Sequence, residues 1–249
     1  MTPSGWRVFA ASAIGKNHLD TGLPCQDAFA YRLIGTTLVA LVCDGAGSAR
    51  RSELGAATCA RQMVDRIAVR LESGVAPGAL DAAAFAADVG AVRATLESLA
   101  IDNALELRDL ACTLVGAVLD TAGGYLFHIG DGLGIVEISD KPPTISSPEN
   151  GEYANETWFI TGDDWRDNLR IIPVPAGANC VALMSDGAMP FVMNREHSGL
   201  FPGFIDPVRR YLAGVDETEG SEGLQSTLAD ERTWSITGDD KTLLLALAG

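Results

Sequence analysis

The sequence predicts an α+β fold, an α-β-β-α sandwich of two antiparallel sheets flanked by helices, and three observations carry that prediction. Strand-like segments run in the order β-β-β-α-α-β-β, then β and β with short helices between, instead of alternating with helices as a doubly wound sheet would. Two long stretches space their apolar residues by three and four, as helices do when one face lies on a sheet. The 249 residues, 47% hydrophobic and 20% charged, can bury a sizeable core as one domain, 1–249.

Three strands open the chain, at about 6–13, 28–34 and 37–43, rich in Val, Ala, Leu and aromatic residues. From Ser52 to about Leu71, the residues Leu54, Ala57, Ala60, Met63, Val64, Ile67 and Leu71 form one apolar stripe, which predicts an amphipathic helix. After the punctuation at Gly74–Gly78, a second helix is expected from Asp81 to about Asp109, with Phe85, Val89, Val92, Leu96 and Leu99 on one face. The runs "ACTLVGAVLD" and "GGYLFHIGDG", joined at Thr121–Gly124, predict a β-hairpin. The polar stretch from about 138 to 172, with two adjacent prolines, reads as an excursion over the surface. A strand at 179–185 follows, then a short helix or turn at Met189–Met193 and a helix near 204–213. The acidic run at 216–223 reads as a solvated loop, and another short helix precedes the last strand at 241–248.

Charge and composition narrow the function. The formal charge of −15, from 18 Lys and Arg against 33 Asp and Glu, argues against nucleic acid, whose phosphates are held by basic side chains. The N-terminal segment lacks a basic region followed by a continuous apolar run, so no secretory signal is expected, and no stretch approaches a membrane span. Cys25, Cys43, Cys59, Cys112 and Cys180 are widely spaced, lack a C-x-x-C pair and read as reduced core thiols of a cytoplasmic protein.

Four strand-like segments carry a carboxylate at one end. "LVALVCDG" closes on Asp44, "YLFHIGDG" on Asp131 and "CVALMSDG" on Asp186, while "TGDDKTLLLALA" sets Asp239 and Asp240 before the last strand. Taken singly, each Asp-Gly pair reads as a hairpin turn, with glycine supplying a positive φ and Asp satisfying local backbone groups. Taken together, strand ends converging at one rim would gather like charges, which is unfavourable unless cations neutralise them. Hard oxygen ligands without imidazole or thiolate select Mg²⁺ or Mn²⁺ over zinc. A two-metal site of this type can activate water and clamp a phosphoryl group during in-line displacement, with no protein nucleophile.

The motifs "PCQDAF", "VCDGAGS", "ACTLVGAVL", "FHIGDG", "LMSDGA" and "TGDDKTLLLAL" follow one another in an order that resembles the PPM, or type 2C (PP2C-like), metal-dependent serine/threonine protein phosphatases over nearly the whole chain. The stretches "WRVFAASAIGKNHLDTGLPCQDA" and "GEYANETWFIT" further resemble a bacterial subgroup of small phosphatases associated with a serine/threonine kinase and a von Willebrand factor A-type protein. The resemblance implies that Asp44 bridges two Mn²⁺ or Mg²⁺ ions, with the Gly45 carbonyl a ligand of one. Asp186 and Asp239 would complete the other, and Asp131 would help hold a third, weaker ion. Asp27 matches the acidic position that orients metal-held water, so Asp44 and Asp27 are the catalytic candidates. The implied substrates are phosphoserine and phosphothreonine proteins, and the implied partners are the kinase and the von Willebrand factor A-type protein.

Several positions depart from the family pattern. Gln26 stands where many members carry Glu, Ala46 where animal members carry a histidine able to protonate the leaving group, Ser48 where glycine is usual, and Asp240 where Asn is common. The phosphate-binding arginine expected shortly before the acidic pair has no match in "HLDTGLPCQD". Arg50, Arg51 and His18 are the candidates to replace it, since a guanidinium suits bidentate phosphate recognition. Arg50 and Arg51 read equally well as solvated residues at the start of the next helix. His18 reads as a structural hydrogen-bond partner ahead of a proton donor, and His128 as a satisfied core residue. No G-x-S-x-G elbow, P-loop or dinucleotide fingerprint is present. The expected activity is hydrolysis of phosphoserine and phosphothreonine by metal-activated water. The alternatives are a phosphatase-like regulatory binding protein with little or no activity, and a phosphohydrolase for small molecules.

Overall fold

The computed structural model describes residues 5–148 and 157–249; the first four residues and the opening of "GEYANETWFIT" lie outside the described residues. In chain order come β1 (Trp6–Ala13), α1 (Lys16–Thr21), β2 (Ala28–Ile34), β3 (Thr37–Cys43), α2 (Ser52–Glu72) and α3 (Ala82–Asp102). Then follow β4 (Leu114–Asp120), β5 (Gly123–Ile129), β6 (Leu133–Ile138), β7 (Lys141–Ser146), β8 (Arg170–Val174) and β9 (Ala178–Met184). The chain closes with α4 (Met189–Val192), α5 (Pro202–Leu212), α6 (Glu217–Leu228) and β10 (Lys241–Ala248). One sheet has the order β1-β10-β9-β6-β7 and the other β2-β3-β4-β5-β8, with every described pairing antiparallel. Among the described residues no helix is long and apolar enough to cross a membrane.

The alternation of side chains along each strand explains the layers. On β3, Leu38, Ala40 and Val42 face the other sheet with Val8, Val115, Val181 and Leu244. Val39, Leu41 and Cys43 face outward and pack with Met63, Ile67, Phe85 and Val92 of α2 and α3. With both faces covered, β3 is apolar throughout instead of alternating. The second sheet repeats the arrangement, its outer residues Phe9, Leu133, Met184 and Leu245 meeting Ile205, Leu212, Leu224 and Leu228 of α5 and α6. The result is the four-layered α-β-β-α sandwich. All five cysteines are free thiols, and Cys43, Cys59, Cys112 and Cys180 are buried.

Three expectations need correction. The second long helix stops at Asp102 rather than Asp109, because Asn103 ends it and Ala104 takes a left-handed φ of 54°. A separate 3₁₀ turn, Leu107–Leu110, then starts from a capping box of Glu106 and Asp109. The surface excursion contains β7 and β8, and β6 was not anticipated; Pro142 and Pro143 sit on β7, an edge strand, where a missing N–H is tolerated. The acidic "loop" at 216–223 is the first half of α6. Asp216 accepts from the Glu219 N–H at 2.9 Å, and Glu217 and Glu219 suit the positive end of a helix. Gly220 belongs there for packing: a Cβ at that position would stand 2.4 Å from the Phe9 ring.

Candidate functional site

Strand register brings the carboxylates to one rim. Ala28 pairs with Cys43, so Asp27 and Asp44, each one residue farther along, leave the first sheet side by side. Leu133 and Leu243 both pair with Met184, which sets the residues before β6 and β10 beside those after β9. Asp131, Asp186 and Asp239 occupy those positions. Asp44, Gly45, Asp131, Asp186 and Asp239 line one pocket of about 330 Å³.

The glycines that follow these aspartates are not hairpin glycines. Gly130 has a positive φ of 112°, but Gly45, Gly132 and Gly187 do not. Their constraint is close approach of backbone. A Cβ at Gly45 would lie 2.6 Å from the Gln26 carbonyl oxygen, at Gly132 2.8 Å from that of Met184, and at Gly187 2.0 Å from that of Asp240. Each Asp-Gly pair marks a point where two strand ends press together, which is how the carboxylates come close.

Neighbouring backbone and hydroxyl groups hold the carboxylate loops. Thr113 clamps Asp44 from both sides: its Oγ1 accepts from the Asp44 N–H at 3.0 Å and its N–H donates to the Asp44 carbonyl at 2.8 Å. The Ser185 hydroxyl donates to Asp27 Oδ2 at 2.6 Å while accepting from the Thr242 N–H at 2.9 Å. Thr157 donates to Asp131 Oδ2 at 2.6 Å, and Phe159 joins the pocket wall from the same segment. Thr113, Ser185, Thr157, Phe159 and Asn17 lie inside the quoted motifs, but none of them was singled out as a site residue.

Burial and like charge dominate the electrostatics. Asp27 is pushed up to about 7, first by burial, against the hydrogen bonds from Ser185 and Thr242, with the Asp240 charge raising it further. Burial raises Asp44 well above the usual carboxylate range, and the charges of Asp27 and Asp186 add to it. Asp186 is raised by burial, with Asp131 and Asp239 contributing. Lys241, buried beneath the rim, donates to the Asp239 carbonyl at 3.4 Å; burial lowers its ammonium below the usual range, against the nearby charges of Asp240 and Asp239.

Among the described residues, no three ligand-type side chains close on one point as a finished cluster. The carboxylates surround the pocket instead, and their chemistry fits divalent cations. The donors are all hard oxygens, and both Asp131 Oδ1 and Asp27 Oδ1 are buried without a hydrogen-bond partner. Asp44, Asp186, Asp239, Asp131 and the Gly45 carbonyl could hold such ions.

Arg50 and Arg51 do not join this group. Arg50 is 70% exposed and points to Asp109 at 3.6 Å, while Arg51 pairs with Glu53 at 2.5 Å. Neither lines the pocket, because both are drawn off by acids on the far side of the loop. His18 does line it, and its Nδ1 lies 2.9 Å from Asp240 Oδ2. Gln26 is buried outside the pocket, with its backbone N–H on Asp240 Oδ2 at 2.6 Å. His128 is a core residue whose Nδ1 meets Ser146 Oγ at 2.8 Å. Trp165 is buried in the core under α3.

Residues 14–229 match the family described as protein phosphatase 2C. The chain is 30% identical to serine/threonine-protein phosphatase 3 of Escherichia coli (strain K12), across 97% of this chain and 98% of that one. Its fold is similar to that of a bacterial serine phosphatase, with a TM-score of 0.65, 15% identity and 97% of both chains covered. The serine/threonine phosphatase Stp1 of Staphylococcus aureus is similar too, with a TM-score of 0.63 and 16% identity over 100% of this chain and 98% of that one.

Proposed function

Because the chain belongs to the protein phosphatase 2C family and is thus a metal-dependent serine/threonine phosphatase, we propose that the carboxylate rim is its catalytic centre, within one phosphatase domain over 1–249. The observation that carries this reading is the shared pocket of Asp44, Asp131, Asp186 and Asp239, in which Asp131 Oδ1 is buried without a hydrogen-bond partner. Two divalent cations, Mn²⁺ or Mg²⁺, with a position for a third, would supply activation of water and charge neutralisation at phosphorus. Asp44 and the Gly45 carbonyl, with Asp186 and Asp239, would hold the pair, and Asp131 the third. Asp27, fixed by Ser185, orients the attacking water. Among the described residues His18 is the basic side chain that lines the pocket, where it would sit beside a bound ester. Thr157 and Phe159 line the same pocket, which would receive the phosphorylated side chain of a phosphoserine or phosphothreonine protein.

A cytoplasmic location, a cognate serine/threonine kinase and a von Willebrand factor A-type partner complete the proposal. The location is supported by the free thiols, and the two partners by the resemblance of "WRVFAASAIGKNHLDTGLPCQDA" and "GEYANETWFIT" to the bacterial subgroup. The deciding test is phosphate release from a phosphothreonine peptide with millimolar Mn²⁺ and again after chelation. Turnover that vanishes with chelator and returns with Mn²⁺ is expected. Turnover indifferent to chelator would rule the metal centre out.

Ser185→Ala removes the hydroxyl that holds Asp27 and leaves both the carboxylate and the Thr242 N–H without their partner. Loss of a group supporting a metal site costs about 10–100-fold in affinity or activity. A Mn²⁺ titration of phosphate release should show that loss, whereas an unaltered curve would deny Ser185 and Asp27 their role.

A further inference from the structure

We propose that His18, held by Asp240, donates the proton that the seryl or threonyl oxygen needs in order to leave; the proposal rests on the phosphatase reading above. An alkoxide leaves poorly, so cleavage of an alkyl phosphate calls for a proton at the ester oxygen as the bond breaks. Of the loop after Asp44, Gly45, Ala46 and Gly47 line the pocket and none carries a side-chain donor, and on the reading above the rim aspartates would be taken up in holding cations. An imidazole on the pocket wall is a nitrogen acid of the kind that serves as a proton donor in catalysis.

The surroundings of His18 fix which nitrogen acts. Asp240 is buried and anchored on three sides: Oδ1 accepts from the Gly15 N–H at 2.6 Å, and Oδ2 accepts from the Gln26 N–H at 2.6 Å and faces His18 Nδ1 at 2.9 Å. A carboxylate can only accept here, so Nδ1 carries a hydrogen and the ring is oriented with Nε2 as the nitrogen left for the pocket. The segment bearing the histidine is itself immobilised. The Asn17 N–H donates to the Gly238 carbonyl at 3.0 Å, and a Cβ on Gly15 would stand 2.3 Å from the Asp239 backbone. Asp240 takes a place where an amide is common in the family, and a carboxylate, unlike an amide, balances the charge of an imidazolium.

In the step, the water oxygen forms the new bond to phosphorus and one water proton passes to solvent. The scissile P–O bond breaks with its electron pair moving to the ester oxygen. That oxygen takes the Nε2 proton and departs as the alcohol, and solvent returns a proton to the imidazole. The sum is one phosphoester and one water giving one alcohol and one phosphate.

The test compares wild type, His18→Asn and His18→Gln on a phosphothreonine peptide and on a series of aryl phosphates ending in p-nitrophenyl phosphate, whose phenolate leaves without a proton. A general acid contributes roughly 100-fold or more. The variants should therefore lose about 100-fold in kcat/KM on the peptide and at least tenfold less on p-nitrophenyl phosphate, with a steeper dependence on leaving-group basicity across the aryl series. Equal losses on all esters would show that His18 binds phosphate or shapes the site and would overturn the proposal, as would no loss on any. Wild type inactive on every ester would defeat the phosphatase reading itself. A second readout uses chelated protein: long-range ¹⁵N–¹H spectra should show His18 Nδ1 protonated, and Asp240→Asn should shift that nitrogen. An unprotonated Nδ1 in wild type would contradict the assigned geometry.

Discussion

Replacing Asp44 by Asn is expected to abolish phosphate release while leaving the protein folded. A metal centre of the proposed kind would supply several kcal/mol of charge stabilisation to the transition state, and each 1.36 kcal/mol is tenfold in rate, so roughly a 1,000-fold loss or more in kcat/KM would follow. The fold should survive because Thr113 grips Asp44 through its backbone N–H and carbonyl, which the substitution keeps. In chelated protein the same change should raise the melting temperature at neutral pH. Burial first, then the charges of Asp27 and Asp186, hold the Asp44 carboxyl well above its ordinary range. Between the ordinary and the raised value the folded chain binds more protons than the unfolded chain. This contribution to stability is therefore fully present in acid and is lost as pH rises through the raised value. Asn removes that dependence, so its advantage over wild type should be larger at about pH 8 than at about pH 5. Mn²⁺ should reverse the order if Asp44 is the metal ligand proposed above, because only wild type would keep its carboxylate. Full activity with an unchanged melting temperature would take Asp44 out of the centre.

How much of this was legible in the sequence depended on what each position has to satisfy. β3 announced itself because both of its faces are covered, so every residue from Thr37 to Cys43 is buried. The stripe from Leu54 to Leu71 showed α2 because one face alone meets the sheet. β7 stayed hidden, since an edge strand tolerates Pro142 and Pro143 and shows little burial. α6 stayed hidden because its glycines look like loop residues, whereas Gly220 and Gly223 let Phe9 and Tyr211 approach closely. The carboxylates were visible because each ends an apolar run. Thr113, Ser185 and Thr157 lay within quoted motifs without standing out, for nothing in the local sequence says which carboxylate loop such a hydroxyl supports. Arg50 and Arg51 misled by standing next to the Asp44 loop in sequence, while Asp109 and Glu53 draw them off it in space.

The second large effect is expected from a substitution that removes no functional group. Gly187→Ala adds one methyl at a place where its Cβ would lie 2.0 Å from the Asp240 carbonyl oxygen and 3.3 Å from Asp239 Cβ. The nearest obstacle is backbone rather than the end of a flexible side chain, so the loops after β9 and before β10 must separate. That movement displaces Asp186 from Asp239 and also loosens Asp240, which accepts hydrogen bonds from the Gly15 and Gln26 N–H groups. Overpacking costs about 1–3 kcal/mol, and displacing reacting groups by about 1 Å costs on the order of 100-fold in rate. At this chain length each kcal/mol lowers the melting temperature by about 2–4 °C. A drop of about 2–12 °C and roughly 100-fold lower turnover are therefore expected, together with a higher Mn²⁺ concentration for half-maximal activity. Gly78→Ala is the control, since a Cβ there meets nothing within 4 Å and its φ is not positive; it should stay within about 0.5 kcal/mol of wild type. If Gly187→Ala behaved like that control, the close approach of the two loops would not be what brings Asp186 and Asp239 together, and the Asp-Gly pair would again be only a turn.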